Sequence, residues 1–308
     1  MNAASDRTRL AVALIVGVML LLSAMDAAVK GMTDDFSLWQ VCAARSVFAV
    51  PILIAIVAAG GAARLRQVFR PWVLLRCLLF VGMWISYYAS LPLLDLSVAA
   101  TALYTIPLFI AGFAAVFSRE SVGLRRWIGI AIGFVGVVVI LRPGDEAFSA
   151  AALLPVLAAI CYALAAIVTR MRCATESAFV LALGLHVWLL VTGIVGAAGV
   201  ALFAPETSSG FLLGPWQPMD LREWGIMAAF GIALVAIAAG VAKAYQIGAP
   251  AIVGTFDYSY LVFASLWGVL FFQERLDLLT VTGIVLIVGA GLLVLREQRR
   301  PIPAAPPA

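Results

Sequence analysis

The chain has 308 residues, of which 64% are hydrophobic and only 12% are charged, with a net charge of +4. A mean hydropathy of +1.10 excludes an ordinary soluble globular protein, whose surface needs far more polar groups. The basic pI of about 9.0 does not indicate nucleic-acid binding, because the Lys and Arg residues lie mainly in loops on one side of the apolar segments.

Ten apolar stretches, most of them about 20 residues long, follow one another along the chain. They cover residues 10–29, 38–59, 72–91, 97–118, 127–141, 150–169, 178–203, 224–244, 251–272 and 279–295. At about 1.5 Å per residue, a helix of this length crosses a hydrocarbon core of about 30 Å. Helices are expected because a helix satisfies its own backbone hydrogen bonds in lipid. The sequence therefore predicts an all-α, polytopic membrane protein with ten transmembrane helices.

The distribution of Lys and Arg predicts how these helices are oriented. With the N-terminus inside, the cytoplasmic segments contain Arg7, Arg9, Arg64, Arg66, Arg70, Arg119, Arg125, Arg126, Arg170, Arg172, Lys243, Arg296, Arg299 and Arg300. The opposite side contains Lys30, Arg142, Arg222 and Arg275. We therefore expect a bacterial inner-membrane protein with both termini in the cytoplasm. The first stretch is expected to stay as a helix, since it is too long for the core of a signal peptide.

The second half of the chain repeats the first at a spacing of 154 residues. The aligned pairs include Tyr104 with Tyr258, Phe109 with Phe263, Glu120 with Glu274, Gly129 with Gly283 and Arg142 with Arg296. Each half has five apolar stretches, an odd number, so the two copies cross the membrane in opposite directions. Inverted repeats are typical of transporters, whose substrate site lies near the bilayer midplane between the halves. We expect one repeat in residues 1–143, a second in 144–300 and a disordered cytoplasmic tail in 301–308.

Ionisable residues inside the apolar stretches are candidates for a transport site, since a charge in lipid costs several kcal/mol unless it is paired or hydrated. Asp257, in the ninth stretch, either binds a cationic or amine-bearing group, carries a coupling proton, or is a packing residue satisfied by neighbouring hydroxyls or by a basic residue. Asp26 and Lys30 stand four positions apart in the first stretch, an order that favours an ion pair. This pair either contacts a zwitterionic substrate or neutralises itself as a structural element.

Three further residues are candidates for gating or packing. Arg45, in the second stretch, needs an acidic partner or water, and Asp26 is a candidate partner. His186, the only histidine, is either a hydrogen-bonded packing residue or a proton relay. Pro107 removes a backbone hydrogen bond from the fourth stretch and can create a hinge there.

Aromatic residues within the stretches form a second group of candidate substrate-binding residues. They are Trp84, Tyr87 and Tyr88 in the third stretch, the equivalent pair Tyr104 and Tyr258, and Tyr162 in the sixth stretch. A tyrosine away from the membrane interface usually directs its hydroxyl at a partner or a cavity. A pair at equivalent positions suits stacking on a planar or cationic ligand. Ordinary interhelical packing is the alternative for each single tyrosine.

One motif occurs in both halves: a mid-span Pro or Tyr, a loop-side Glu, and a glycine-rich helix that ends in Arg. Its residues are Pro107, Glu120, Gly129 and Arg142, and then Tyr258, Glu274, Gly283 and Arg296. This pattern resembles the EamA-type drug/metabolite transporter superfamily over residues 10–297. The resemblance implies a ten-helix basket that opens alternately to either side, with a central cavity between helices 1, 3, 4, 6, 8 and 9. It also implies that the two loop-side glutamates anchor the turns before helices 5 and 10.

The function predicted from the sequence is secondary active transport of a small organic metabolite, such as an amino acid or an amine, by alternating access. No P-loop is seen and the cysteines have no CxxC spacing, so no ATP hydrolysis, cofactor or metal is expected. The expected partners are the substrate and the lipid bilayer, without nucleic acid. The sequence leaves open whether protons are the coupling ion and whether the protein forms a homodimer. The alternatives are a channel or a non-transporting membrane sensor and, less expected, an intramembrane enzyme that uses Asp26 with Asp257.

Overall fold

The computed structural model describes residues 3–117, 124–141, 150–204, 209–248, 253 and 256–297, and regular structure within these ranges is helical. The helices are α1 (Ala3–Gly31), α2 (Leu38–Ala59), α3 (Pro71–Ser90), α4 (Leu96–Leu103), α5 (Ile106–Phe117), α6 (Leu124–Leu141), α7 (Leu153–Arg172), α8 (Ala178–Phe203), α9 (Leu221–Ile247), α10 (Ser259–Phe272) and α11 (Leu278–Glu297). The predicted all-α class is confirmed. Glu120, Arg142, the predicted boundary at 143/144 and the tail 301–308 lie outside the described residues.

Seven segments of the described chain are long and apolar enough to cross a membrane. They are Arg7–Gly31, Leu38–Ala59, Pro71–Ser90, Leu96–Phe113, Ala150–Arg172, Ala178–Phe203 and Leu221–Ala244. Three shorter apolar helices, Trp127–Val139, Ser259–Phe272 and Leu278–Ala290, lie where the sequence predicts the other spans. The protein is a polytopic helical membrane protein, while the total of ten spans stays a prediction.

The fourth apolar stretch is interrupted between α4 and α5. Tyr104 and Thr105 form a turn there, just before Pro107. Proline has no backbone N–H to donate and its ring clashes with the preceding turn, so a continuous helix is disfavoured at this point. At the break, Leu108 N donates a hydrogen bond to Thr105 O, three residues earlier in the chain, at 2.9 Å. The hinge expected at Pro107 is therefore a break in the helix.

The ninth stretch is also interrupted, although the sequence predicts one helix over 251–272. Residues 256–257 are helical, Tyr258 leaves the helical pattern with ψ −9°, and α10 starts at the next residue. The prediction of a continuous helix was therefore wrong. The sequence carries no local sign of the break, since no proline stands there. At the break, Leu261 N donates to Tyr258 O, three residues earlier in the chain, at 3.1 Å. The ring of Tyr258 lies 5.6 Å from that of Tyr104, so the two breaks meet.

The long helices pack in pairs that a two-fold axis would relate. The helix α6 lies along α11 and α2 lies along α8, while α1 with α9 matches α3 with α7. The contact between α6 and α11 is close, because a Cβ added to Gly136 would lie 2.9 Å from Ile287. We propose that the two inverted repeats are the reason for this pairing.

The loop before α9 is fastened to the first turn of α2. Trp39 donates its indole N–H to Leu212 O at 2.8 Å. The amide of Gln40 donates to Gln217 O at 2.6 Å and accepts from Gln217 N at 2.9 Å. These bonds hold loop and helix together at the end of the bundle where α1 ends and α2 begins.

Candidate functional site

A cavity of about 430 Å³ lies between the helices. Its walls come from α1, α3, α4, α5, α7, α9, the residues around the break at Tyr258, and the first turn of α10. These correspond to the helices that the resemblance implies as walls, namely helices 1, 3, 4, 6, 8 and 9. Small-molecule sites usually have about 300–1,000 Å³, so the cavity fits a small organic solute.

The walls of the cavity are apolar and aromatic, with two acidic groups. The aromatic lining residues are Trp84, Tyr87, Tyr104, Tyr162, Tyr258 and Tyr260. Asp26 and Asp257 are the charged side chains among the described lining residues. Such a surface offers rings for stacking and negative charge for a polar head group.

The two helix breaks form one side of the cavity. The hydroxyl of Tyr104 donates to the backbone oxygen of Asp257 at 3.3 Å, so the first break is bonded to the second. The ring of Tyr104 also stacks on Tyr260, with centroids 5.0 Å apart and planes 15° apart. Within the described part of the chain, no side chain bonds to the Asp257 carboxylate. The backbone oxygen of Asp257 is thus bonded across the two breaks, and Asp257 lines the cavity.

Asp26 has the opposite environment, since both of its carboxylate oxygens are bonded. Oδ2 accepts from the Tyr260 hydroxyl at 2.6 Å and Oδ1 accepts from the Tyr88 hydroxyl at 3.3 Å. The hydroxyls of Tyr87 and Tyr260 lie 2.7 Å apart. Asp26 itself is only 2% exposed. This arrangement connects α1, α3 and α10 at a single buried carboxylate.

Arg45 joins this arrangement from α2. Its Nη1 donates to the Tyr88 hydroxyl at 2.6 Å, and its guanidinium lies 5.0 Å from the centre of the Trp84 ring. Asp26, Arg45, Tyr87, Tyr88 and Tyr260 are named the Asp26 cluster below. The predicted contact between Arg45 and Asp26 is therefore made through Tyr88. Arg45 is fully buried, and its Nε and Nη2 have no hydrogen-bond partner among the described residues.

Lys30 does not pair with Asp26, so the predicted ion pair within the first helix was wrong. Lys30 instead donates to the backbone oxygens of Leu91, at 3.0 Å, and Leu94, and lies 3.8 Å from Glu274 Oε1. The carbonyl oxygens after α3 and a glutamate before α11 offer it more partners than one carboxylate a turn away. Asp26 is meanwhile taken by tyrosine hydroxyls.

Glu274 also has a different role from the expected one. Its carboxylate bonds outside its own turn: it accepts from the backbone N–H of Leu96 and Ser97 and from the Ser97 hydroxyl, the last at 2.9 Å. It therefore caps the first turn of α4, where unpaired N–H groups favour a negative partner. A residue of the second half thus fixes a helix of the first half.

Most of the predicted substrate-binding residues line the cavity. They are Asp257, Tyr258, Tyr104, Trp84, Tyr87, Tyr162 and Asp26, together with the predicted hinge residue Pro107. Tyr88 and Arg45 lie behind the wall in the Asp26 cluster. Lys30 lies outside the cavity, and so does His186, which is 5% exposed and whose Nδ1 has no partner among the described residues. Their roles in transport stay predictions.

The sequence did not single out Tyr260. In a continuous helix, residues two positions apart point in different directions, so Tyr258 and Tyr260 would not both face one cavity. The break at Tyr258 changes this geometry and brings both rings to the lining. The signal that could have identified Tyr260 is the concentration of polar side chains in Thr255–Tyr260, inside an apolar stretch.

Comparison with known proteins decides the family. A model of the EamA-like transporter family matches residues 9–142. A riboflavin transporter of Rhizobium johnstonii is 30% identical over 226 residues, which are 71% of this chain and 67% of the relative. The chain belongs to the EamA-like transporter family. As a member of this family, the protein is a transporter and not an enzyme.

Further relatives of this EamA protein match it over most of its length. An S-adenosylmethionine uptake transporter of Rickettsia bellii is 27% identical over 280 residues, or 90% of each chain. A pseudopaline exporter of Pseudomonas aeruginosa is 26% identical over 298 residues, covering 96% of this chain and 99% of the relative. A solved crystal structure shares the fold, with a TM-score of 0.59 at 21% identity over 96% of this chain and 99% of the other.

Proposed function

We propose that this EamA protein is a secondary active transporter that moves a small organic metabolite across the inner membrane by alternating access. The observation that carries the proposal is the meeting of two interrupted helices, at Tyr104 and Tyr258, on one cavity. Transporters typically bind their substrates near the bilayer midplane, at discontinuous helices from the two halves of the chain. The relatives are named for different small organic solutes, which supports the class and leaves the individual substrate open.

The proposal includes an orientation, with both termini in the cytoplasm, which rests on the distribution of Lys and Arg. In this orientation the end of α1 and the start of α2 lie at the extracytoplasmic face. The Lys30–Glu274 pair and the Asp26 cluster then separate the cavity from that face. We assign the Asp26 cluster as an extracytoplasmic gate, which opens when α1, α3 and α10 move apart.

Energy for transport is proposed to come from a solute or proton gradient. Moving one charge across 100 mV is worth about 2.3 kcal/mol, so a gradient can bias transport without ATP. Asp257 is the proposed site of proton or cation binding, because its carboxylate lines the cavity without a partner among the described residues. Asp26 is less suited, since two tyrosine hydroxyls already bind it.

Solute counterflow into proteoliposomes tests the proposal. Purified protein is reconstituted, loaded with one unlabelled solute at a time, and diluted into a trace of the labelled solute, with a panel of amino acids, polyamines, quaternary ammonium compounds, riboflavin and nucleosides. We expect transient accumulation of at least one solute above protein-free liposomes. Conductance without counterflow would support the channel alternative, and absence of both with the whole panel would contradict transport.

A further inference from the structure

We propose that the substrate of this cavity is an organic cation with a flat apolar body, whose positive group lies against the Asp257 carboxylate. This inference deepens the proposed transport function and rests on it for the statement that the bound molecule also crosses the membrane. The binding part stands on the lining alone: two acidic groups, aromatic rings and apolar side chains.

The charge of the lining is the first argument. Asp26 and Asp257 line the cavity, and no Lys, Arg or His is among its described lining residues. The cations near these walls are not part of the lining: Arg45 lies behind the Trp84 ring and donates to the Tyr88 hydroxyl at 2.6 Å. Lys30 bonds to Leu91 O and pairs with Glu274, and Arg76 bonds to the Thr169 hydroxyl at 2.9 Å. An anionic or zwitterionic solute would therefore find no positive group on these walls to bind its carboxylate or phosphate.

The contrast between the two carboxylates is the second argument. Asp26 accepts two hydrogen bonds from tyrosines and lies near the guanidinium of Arg45, so its bonding is complete within the protein. Asp257 faces the cavity, and no described side chain bonds to its carboxylate. A carboxylate in a water-poor environment is costly unless a cation or hydrogen-bond donors accompany it. Asp257 is thus the group that a positive ligand would satisfy, while Asp26 belongs to the gate.

The aromatic walls are the third argument. Tyr104 and Tyr258 lie beside Asp257 at the two helix breaks, with ring centroids 5.6 Å apart, and Trp84 and Tyr162 also line the cavity. Faces of tyrosine and tryptophan rings attract cations and stack on flat ligands. A flat cation would use both kinds of contact at once, whereas an aliphatic neutral solute would use neither.

Isothermal titration of the full-length protein in lipid nanodiscs tests the charge preference with three flat probes of similar size. They are the cation 1-methylquinolinium, neutral 2-naphthamide and the anion 1-naphthoate. We expect the cation to bind at least tenfold more tightly than the other two, which corresponds to about 1.4 kcal/mol. Equal affinities for the three probes, or no binding of the cation up to millimolar concentration, would overturn the proposal.

Asp257→Asn identifies the group responsible. We expect this variant to lose at least tenfold in affinity for 1-methylquinolinium and to keep the affinity for 2-naphthamide, which also shows that the cavity is still folded. Asp257→Glu keeps the charge and should retain the preference for the cation. Asp34→Asn, an exposed carboxylate in the loop after α1, is the matched control and should change nothing. An unchanged cation affinity in Asp257→Asn would overturn the assignment.

Uptake of 1-methylquinolinium into proteoliposomes separates this inference from the proposed function. Cation-selective binding that depends on Asp257, without uptake above protein-free liposomes, would contradict transport and leave the cation site standing. Uptake of the anion in preference to the cation would contradict the cation site and leave transport standing.

Discussion

The hydroxyl of Tyr260 donates a 2.6 Å hydrogen bond to Oδ2 of Asp26, which joins α10 to α1. Tyr87 and Tyr88 of α3 extend this contact, and Arg45 adds α2 through its bond to Tyr88. Four helices are therefore tied to one buried carboxylate. Any movement that separates α1, α3 and α10 must break these bonds, so the Asp26 cluster is the place to look for gating.

Tyr260→Phe should favour opening of the proposed extracytoplasmic gate, because it removes the shorter of the two hydrogen bonds to Asp26. A hydrogen bond to a charged group contributes about 1.5 kcal/mol, so the open fraction should rise roughly tenfold. The measurement uses Leu22→Cys, in the cavity lining, on a background without the native cysteines. Labelling of this cysteine by a membrane-impermeant maleimide from outside should be faster in Tyr260→Phe.

Tyr258→Phe is the matched control for this experiment. Its hydroxyl is buried and has no hydrogen-bond partner among the described residues, so removing it breaks no bond in this conformation. We expect the labelling rate of the Leu22→Cys protein to be unchanged. Similar rates in Tyr260→Phe and Tyr258→Phe would show that the bond to Asp26 does not hold the gate.

Arg45→Met and Asp26→Asn should compensate each other in stability. Each single change leaves one buried group without the opposite charge that compensates it through Tyr88, which costs up to about 3 kcal/mol, whereas the double change removes both charges. A double-mutant cycle on the free energy of unfolding in detergent should give a coupling above about 1 kcal/mol. Tyr88 transmits this coupling, since it lies between the two groups.

Arg76→Met provides the comparison for that cycle. Arg76 bonds to the Thr169 hydroxyl and to Leu181 O, and it shares no partner with Asp26. Its effect should add to that of Asp26→Asn within about 0.5 kcal/mol. Additive effects of Arg45→Met and Asp26→Asn as well would contradict a linked cluster.

The sequence predicts the fold class well because helical membrane segments are visible in hydropathy alone. It predicts a hinge at Pro107, because proline cannot continue the hydrogen bonding of a helix, and the structure has its break directly before that residue, at Tyr104 and Thr105. The break at Tyr258 has no such residue, and the ring of Tyr258 contacts that of Tyr104, which is 154 positions away. A contact of this kind is tertiary, so a local pattern cannot reveal it.

The same limit explains which parts of the candidate site could be predicted from the sequence. Asp26 and Asp257 stand out because charge is rare in an apolar stretch. Their partners were not visible: the spacing of Asp26 and Lys30 suggested a pair, but Tyr88 and Tyr260 compete for Asp26 from other helices. Local spacing gives the possible partner, and packing decides the actual one.

Glu274→Ala should destabilise the protein by about 3 kcal/mol. The change removes the cap of α4 and leaves Lys30 without its carboxylate, which lies 3.8 Å away. Unfolding in detergent followed by circular dichroism measures the loss. Glu176→Ala, which breaks the pair with the exposed Arg70, should cost less than about 1 kcal/mol. Equal losses in the two variants would contradict the capping role of Glu274.

Gly193→Ala should destabilise the contact between α8 and α2, because a Cβ at this position would lie 2.6 Å from Trp39 O and 2.7 Å from Ala43 N. Backbone atoms cannot move aside as a flexible side chain can, so the helices must separate, at about 1–3 kcal/mol. Gly199 lies on the same helix, and a Cβ added there would have no atom within 4 Å. Helix propensity therefore favours Gly199→Ala by up to about 1 kcal/mol. Thermal unfolding in detergent should therefore show a lower midpoint for the first variant and an equal or higher one for the second. The same direction of change in both variants would contradict a close contact between α2 and α8.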